Sequence, residues 1–196
     1  HTGAGGAKDF GTSGFLVPFP YPPDSEDFFS ADMAQYTVGN KLYGLPMVSD
    51  TNILYWRTDL FEAAGLEPNS PPETYDEYRD MAIKLTGNGV WGSAFKGIRG
   101  LASTWEWYNY LYAWDGDILD DNFEIIVNQK PAVDSLQWVA DNLLRYKIYP
   151  PDTLNFDYSE YQTLFLQGKV AMGINWPSMW SMIQDPQQSE VVGKVD

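Results

Sequence analysis

LQGKVAMGINWPSMW, residues 166–180, is the stretch whose reading decides the fold. It changes character three times. Gln167, Gly168 and Lys169 end a helical pattern, and Val170–Ile174 is a short apolar run with small residues, the mark of a buried strand. Asn175, Trp176 and Pro177 then turn the chain into another helix, with Trp180 one turn beyond Trp176. A buried strand feeding a helix N-terminus is where α/β folds place ligand sites. Trp176 at that junction faces either the core or a cleft.

Working outward, the same alternation continues in both directions. Upstream, Asp157 and Glu160 form a capping box that opens a helix running through Gln167. Before it, Ala132, Val133, Leu136, Val139, Ala140, Leu143 and Leu144 make an amphipathic stripe on a helix entered through Pro131. Phe123–Val127 reads as a strand, and Thr104–Trp114 as a helix with aromatic residues on most sides and Glu106 in its first turn, favoured there by the helix dipole. Val90–Phe95 reads as a strand and Lys96–Ser103 as a loop. Thr74–Leu85 is a helix with a Thr74/Glu77 capping box, Thr58–Ala64 a short helix stopped by Gly65, and Asn52–Arg57 a strand. Lys41–Met47 is a strand interrupted by Gly44 and Pro46, and Asp50 lies at the crossing between it and the next. Prolines 18, 20, 22 and 23 keep Phe15–Asp24 extended. Downstream, Val191–Val195 reads as one more strand. Strands alternating with helices define an α/β chain.

Composition narrows the function. The chain carries 27 acidic against 12 basic side chains, which argues against nucleic acid and anionic membrane partners, since both need a positive face. Cysteine is absent, so disulfides, thiolate nucleophiles and thiolate metal sites are excluded. No apolar run is long enough to span a bilayer, so no direct membrane insertion is expected of this chain. Asp115–Asn122, DGDILDDN, invites a calcium reading but fails the EF-hand pattern, because Leu119 stands at position five and no glutamate closes the loop. Neither a metal nor a cofactor is expected. Aromatic residues reach 16%, which fits a large core or a surface that packs against flat, weakly polar ligands such as sugar rings.

Several segments, in order, resemble the family 1 extracellular solute-binding proteins of bacterial sugar ABC transporters. They are KLYGLP with DTNILYWRTDLFEAAGL, PPETYDEYRDMAIKLT, VNQKPAVDSLQWVADNL, YSEYQTLFLQGKVAMGINWPSMW and DPQQSEVVGKV. The resemblance implies a periplasmic-binding-protein-like (type II) α/β fold, here mainly one lobe with a mixed sheet flanked by helices. Residues 1–14 are expected to be a flexible or tag-derived start. Residues 15–50 would be the end of a first lobe with its crossing segment, and 51–196 an incomplete second lobe. It further implies capture of a sugar, oligosaccharide or polyol by hinge closure and delivery to membrane permease subunits. The expected setting is the periplasm, or the cell exterior on a lipid anchor.

Carried over position by position, the resemblance makes Trp176 the aromatic that stacks on a sugar ring and Asp50 an acid that accepts sugar hydroxyls. It makes Thr104, Trp105 and Glu106 a ligand-facing stretch. Asn175 and Trp180 join them as neighbours of Trp176, with core packing the alternative for Trp180. Gly116–Asp117 departs from the family's Gly-Gly, and Met47 and Val48 stand where relatives carry a ligand-facing aromatic. No catalytic constellation emerges. His1 is the one histidine, so a Ser–His–Asp site has no base. The enzymatic alternative is a glycoside hydrolase with paired carboxylates.

Overall fold

The computed structural model describes residues 4–196. Contacts divide the chain into two compact units, one ending at Thr51 and the other running from Asn52 to Asp196.

In the first unit, Ala4–Thr12 forms helix α1, not the flexible start expected of that segment. Its small residues explain the difference. Ala7 is buried, and Gly11 lies so close to the Tyr43 ring that an added Cβ would sit 2.6 Å from it. A bare backbone thus gives α1 a packing partner despite its featureless sequence. After the extended proline segment and a single helical turn at Ser25–Asp27 come α2 (Ser30–Tyr36), β1 (Thr37–Val38) and β2 (Lys41–Leu42). The two strands form an antiparallel hairpin through Gly39 and Asn40, both at positive φ (52° and 63°), the geometry that suits strand twist in a two-residue turn. The strand expected over Lys41–Met47 is therefore only its first two residues. Gly44 and Pro46 end it.

The second unit is built on β3 (Ile53–Trp56). It is followed by α3 (Thr58–Ala63), α4 (Tyr75–Leu85), α5 (Leu101–Ala113), α6 (Lys130–Leu144), α7 (Tyr158–Leu166), β4 (Met172–Asn175) and α8 (Met179–Ile183). β3 and β4 are antiparallel, with Ile53 opposite Asn175 and Trp56 opposite Met172. On the far side of β3, Trp56 exchanges backbone hydrogen bonds with Asp196. On the far side of β4, Val170 runs parallel to Trp91, and Ala171 N–H and Met172 N–H donate to Trp91 and Gly92. The sheet is mixed. Of the strand expected at 90–95 only Val90 and Trp91 form bridges, to Gly87 and Val170; of that at 191–195 only Val195 does, to Arg57; and Phe123–Val127 keeps only the Leu119–Ile125 bridge.

Successive side chains on a strand point to opposite faces. Leu54 and Trp56 pack with the core formed by α4, α5 and α6, while Tyr55 packs with α7 and α8. The helix caps follow the sequence. Thr74 Oγ1 accepts from Glu77 N–H, although the Glu77 carboxylate accepts from Glu73 N–H and so closes only half of the expected box. The Asp157/Glu160 box is complete. α6 differs from expectation. Its buried face is Ala132, Ser135, Trp138, Val139 and Asn142, whereas Val133, Leu136 and Leu144 are more than half exposed. Periodicity misplaced the face because Ser135 is polar yet well satisfied inside, accepting from Trp107 Nε1 at 3.0 Å and donating to Ala132.

Candidate functional site

The junction between β4 and α8 is held from beneath by Tyr55. Its ring, rooted in β3, lies flat against Trp180 (centroids 6.4 Å apart, planes at 12°), and its hydroxyl donates to the Trp176 carbonyl at 3.1 Å. Asn175 is fully buried. Its Oδ1 accepts from Trp176 N–H at 2.8 Å, and its Nδ2 faces Met179 Sδ. Both ends of that amide are committed within the turn, so Asn175 shapes the turn that carries Trp176. Trp176 itself is half-buried, followed by exposed Pro177 and Ser178, and Trp180 keeps 43% of its surface exposed. The structure thus brings Asn175, Trp176 and Trp180 together around Tyr55.

Glu106 sits elsewhere than its sequence position implied. α5 begins at Leu101, three residues before the expected start, so Glu106 lies beyond the first turn, away from the strongest pull of the helix dipole. Its partner is Lys96, from the connection that precedes the helix. Nζ lies 2.5 Å from Glu106 Oε2, and both side chains are almost wholly buried. Burial pushes the Glu106 carboxyl above its ordinary value, against the attraction and hydrogen bond of Lys96. Its other oxygen, Oε1, is buried without a hydrogen-bond partner. Lys96 Nζ also donates to the Ile174 carbonyl at 3.0 Å and lies over two rings of α7, Tyr161 at 4.1 Å and Tyr158 at 5.7 Å. Tyr158 is raised by burial, and a hydrogen bond with the Trp176 side chain opposes that rise. Lys96 therefore joins the Ile174 carbonyl, two residues before Trp176, to Glu106 and to the rings of α7.

Trp105 and Thr104 make their contacts within the second unit. Trp105, 47% exposed, packs its ring edge-on with Tyr108. Thr104 bonds back to the Gly100 carbonyl and borders a cavity of about 460 Å³ between α5 and α6, with Trp107, Leu136 and Leu143. Successive residues of a helix point about 100° apart, so 104, 105 and 106 cannot share one face. Asp50 is exposed in the segment that ends the first unit. Another cavity, of about 670 Å³, lies between the start of α4, the end of α5 and the strand residues Leu54 and Ile174, and none of the seven expected residues lines it. Tyr75 there is pushed up to about 12 by burial and by the Glu106 charge.

Sequence reasoning missed Lys96, Tyr158, Tyr161 and Tyr55. Lys96 carried the one available signal, a lone cation directly after the apolar run Trp91–Phe95. In the acidic turn, Asp120 Oδ1 accepts from the N–H groups of Asn122 and Glu124, so that carboxylate serves its own backbone. Among the described residues no group of histidine or acidic side chains could hold a metal ion, and no helix is long and apolar enough to cross a membrane.

This architecture is that of a type II binding-protein lobe, and comparison with known proteins places the chain. The bacterial extracellular solute-binding protein family model matches residues 4–194, and the chain belongs to that family. It is 27% identical over 156 residues to a probable amino-acid ABC transporter periplasmic-binding protein of Sinorhizobium fredii, covering 80% of this chain and 36% of the relative. It is 26% identical over 188 residues to the mannitol-binding protein of Pseudomonas aeruginosa, covering 93% and 42%. Among solved structures, maltose-bound T. maritima MalE3 superposes with a TM-score of 0.87 at 26% identity, covering 97% of this chain and 48% of that one. The chain thus spans about half, or less, of the length of these proteins.

Proposed function

We propose that the chain is part of the extracytoplasmic binding component of an ABC importer that captures a sugar, oligosaccharide or polyol and passes it to membrane permease subunits. It works in the periplasm or on a lipid anchor at the cell surface. Residues 51–196 act as one lobe, 15–50 as the end of the other with its crossing segment, and capture occurs by closure of the two lobes without bond cleavage. The observation that carries this reading is Trp176, a half-buried indole at the end of a buried strand, its carbonyl held by Tyr55 and its N–H by the Asn175 side chain. A ring fixed in this way offers a flat apolar face at little entropic cost, which suits the C–H face of a pyranose or an extended polyol.

Trp176 stacks on the ligand, Trp180 and Trp105 extend the aromatic surface, and Asp50 and Thr104 supply polar contacts. Asn175 and Glu106 serve from behind, the first by shaping the turn and the second through Lys96. The mannitol and maltose named for two of the relatives support this ligand class. The test is a titration of the chain with maltose, mannitol and ribitol, followed by tryptophan fluorescence. Saturable binding is expected. Trp176→Ala should weaken it about tenfold, the value of one good aromatic stack, while far-UV circular dichroism stays unchanged. Release of cleaved sugar during incubation with oligosaccharides would replace this reading with a glycosidase. Saturation by none of the panel would refute it.

A further inference from the structure

We propose that Lys96 is the positioning residue of the binding wall, tying the end of β4, helix α5 and helix α7 to one point so that Trp176 is presented in a single orientation. The inference rests on the reading of Trp176 as the ligand-stacking residue. One ammonium group touches all three elements. It donates to the Ile174 carbonyl, two residues before Trp176, pairs with Glu106 of α5, and lies over the rings of Tyr158 and Tyr161 of α7. α5 is tied to the other strand as well, since Asn109, one turn beyond Glu106, accepts from Asn52 at 2.9 Å. The backbone around Trp176 is therefore restrained from two sides, by Tyr55 at its own carbonyl and by Lys96 at the Ile174 carbonyl.

Stability alone does not account for such a pair. Desolvating an ammonium and a carboxylate costs several kcal/mol for each ion, and replacing a buried pair by apolar residues of similar volume is often neutral or stabilising. Here the desolvation is nearly complete, and Glu106 Oε1 recovers nothing through a hydrogen bond. What the ion pair supplies that a methionine and a leucine cannot is direction. The ammonium meets a carbonyl, a carboxylate and two ring faces at one point, which ties three elements to one another.

The experiment compares the parent chain with the double variant Lys96→Met, Glu106→Leu, both labelled with 5-fluorotryptophan. The Trp176 resonance is assigned from Trp176→Phe and that of the core residue Trp138 from Trp138→Phe. The double variant is expected to fold, with its melting midpoint close to the parent's and the Trp138 fluorine resonance unmoved. The Trp176 resonance should shift and broaden, and affinity for any sugar the parent binds should fall about tenfold or more. Loss of folding, or equal disturbance of both resonances, would assign the pair a purely structural role and overturn the proposal. A folded variant with an unchanged Trp176 resonance would overturn it equally. If no sugar binds the parent, the functional reading fails, and the fluorine spectra still decide whether Lys96 orients Trp176.

Discussion

Gly173 has no room for a side chain, and Gly173→Ala should be strongly destabilising. It lies in β4 opposite Tyr55, and a Cβ added there would meet Tyr161 Oη at 2.0 Å, Tyr161 Cζ at 3.1 Å and Phe165 Cδ2 at 3.5 Å. Ordinary carbon–oxygen contact needs more than an ångström beyond the first of these. Tyr161 cannot yield it easily, because its ring is fully buried, packs with Phe165 and Met179, and carries Lys96 on its face. Overpacking a rigid site costs typically 1–3 kcal/mol, and a contact this short places the substitution near or above the top, at about 3 kcal/mol. For a chain of this size that corresponds to a fall in melting midpoint of about 6–12 °C. Tyr161→Phe removes the clashing oxygen but leaves the ring carbon close, so the double variant should recover about half of the loss, a coupling of about 1.5 kcal/mol. Thermal melts and urea titrations of the four proteins in the cycle measure it. A Gly173→Ala midpoint within about 2 °C of the parent, or no coupling to Tyr161→Phe, would show that the sheet and α7 pack less closely than argued.

Two further outcomes follow from the charges. Arg57, only 6% exposed, is held bidentately by Asp59 at 2.7 Å, so Asp59→Asn should cost about 2 kcal/mol in urea unfolding by leaving a buried cation without its counter-charge; the partial exposure of Asp59 keeps the loss below that of a wholly buried pair. Burial tends to raise the Asp59 carboxyl, yet Arg57 and the Leu60 N–H hold it below 3.8. Its contribution is therefore present above that value and is lost as pH falls through the depressed one, and Asp59→Asn should flatten this part of the stability profile. Glu106 has the opposite sign. Burial raises its pKa above 4.5, so the folded state takes up a proton at higher pH than the unfolded chain, and its contribution favours folding as pH falls through the raised value and is lost as pH rises through it. Glu106→Gln should remove that slope between 4.5 and the raised value, and an unchanged profile would show that the carboxyl titrates normally.

The local signals proved reliable where the physics is local. The Asp157/Glu160 box, the Thr74 cap, the stop at Gly65 (φ 69°) and the strands at NILYW and MGIN depend on neighbours a few residues away or on β-branched and apolar runs. The misjudged parts depend on distant partners. α1 is held by Tyr43, some thirty residues on. The buried face of α6 contains Ser135 because Trp107 satisfies it, and Glu106 is inside because Lys96 meets it there. The candidate site divides in the same way. Trp176 and Trp180 were legible as a pair at a strand–helix junction. The support beneath them, Tyr55, Tyr158 and Lys96, was not, because those residues come from three separate segments.

By itself the sequence determined the class of this protein. Strand and helix patterns alternating along the chain argue an α/β fold, and five ordered motifs already carried the family resemblance. Only the tertiary structure decided what lies behind the LQGKVAMGINWPSMW stretch. Trp176 follows β4 with its carbonyl held by Tyr55, and the lysine of a buried ion pair bonds the Ile174 carbonyl two residues before it. The reason is physical. Secondary structure arises from each residue's near neighbours, whereas the burial of a charge is tolerable only where folding delivers its partner, and here one loop lysine and one helix glutamate ten residues apart meet out of water.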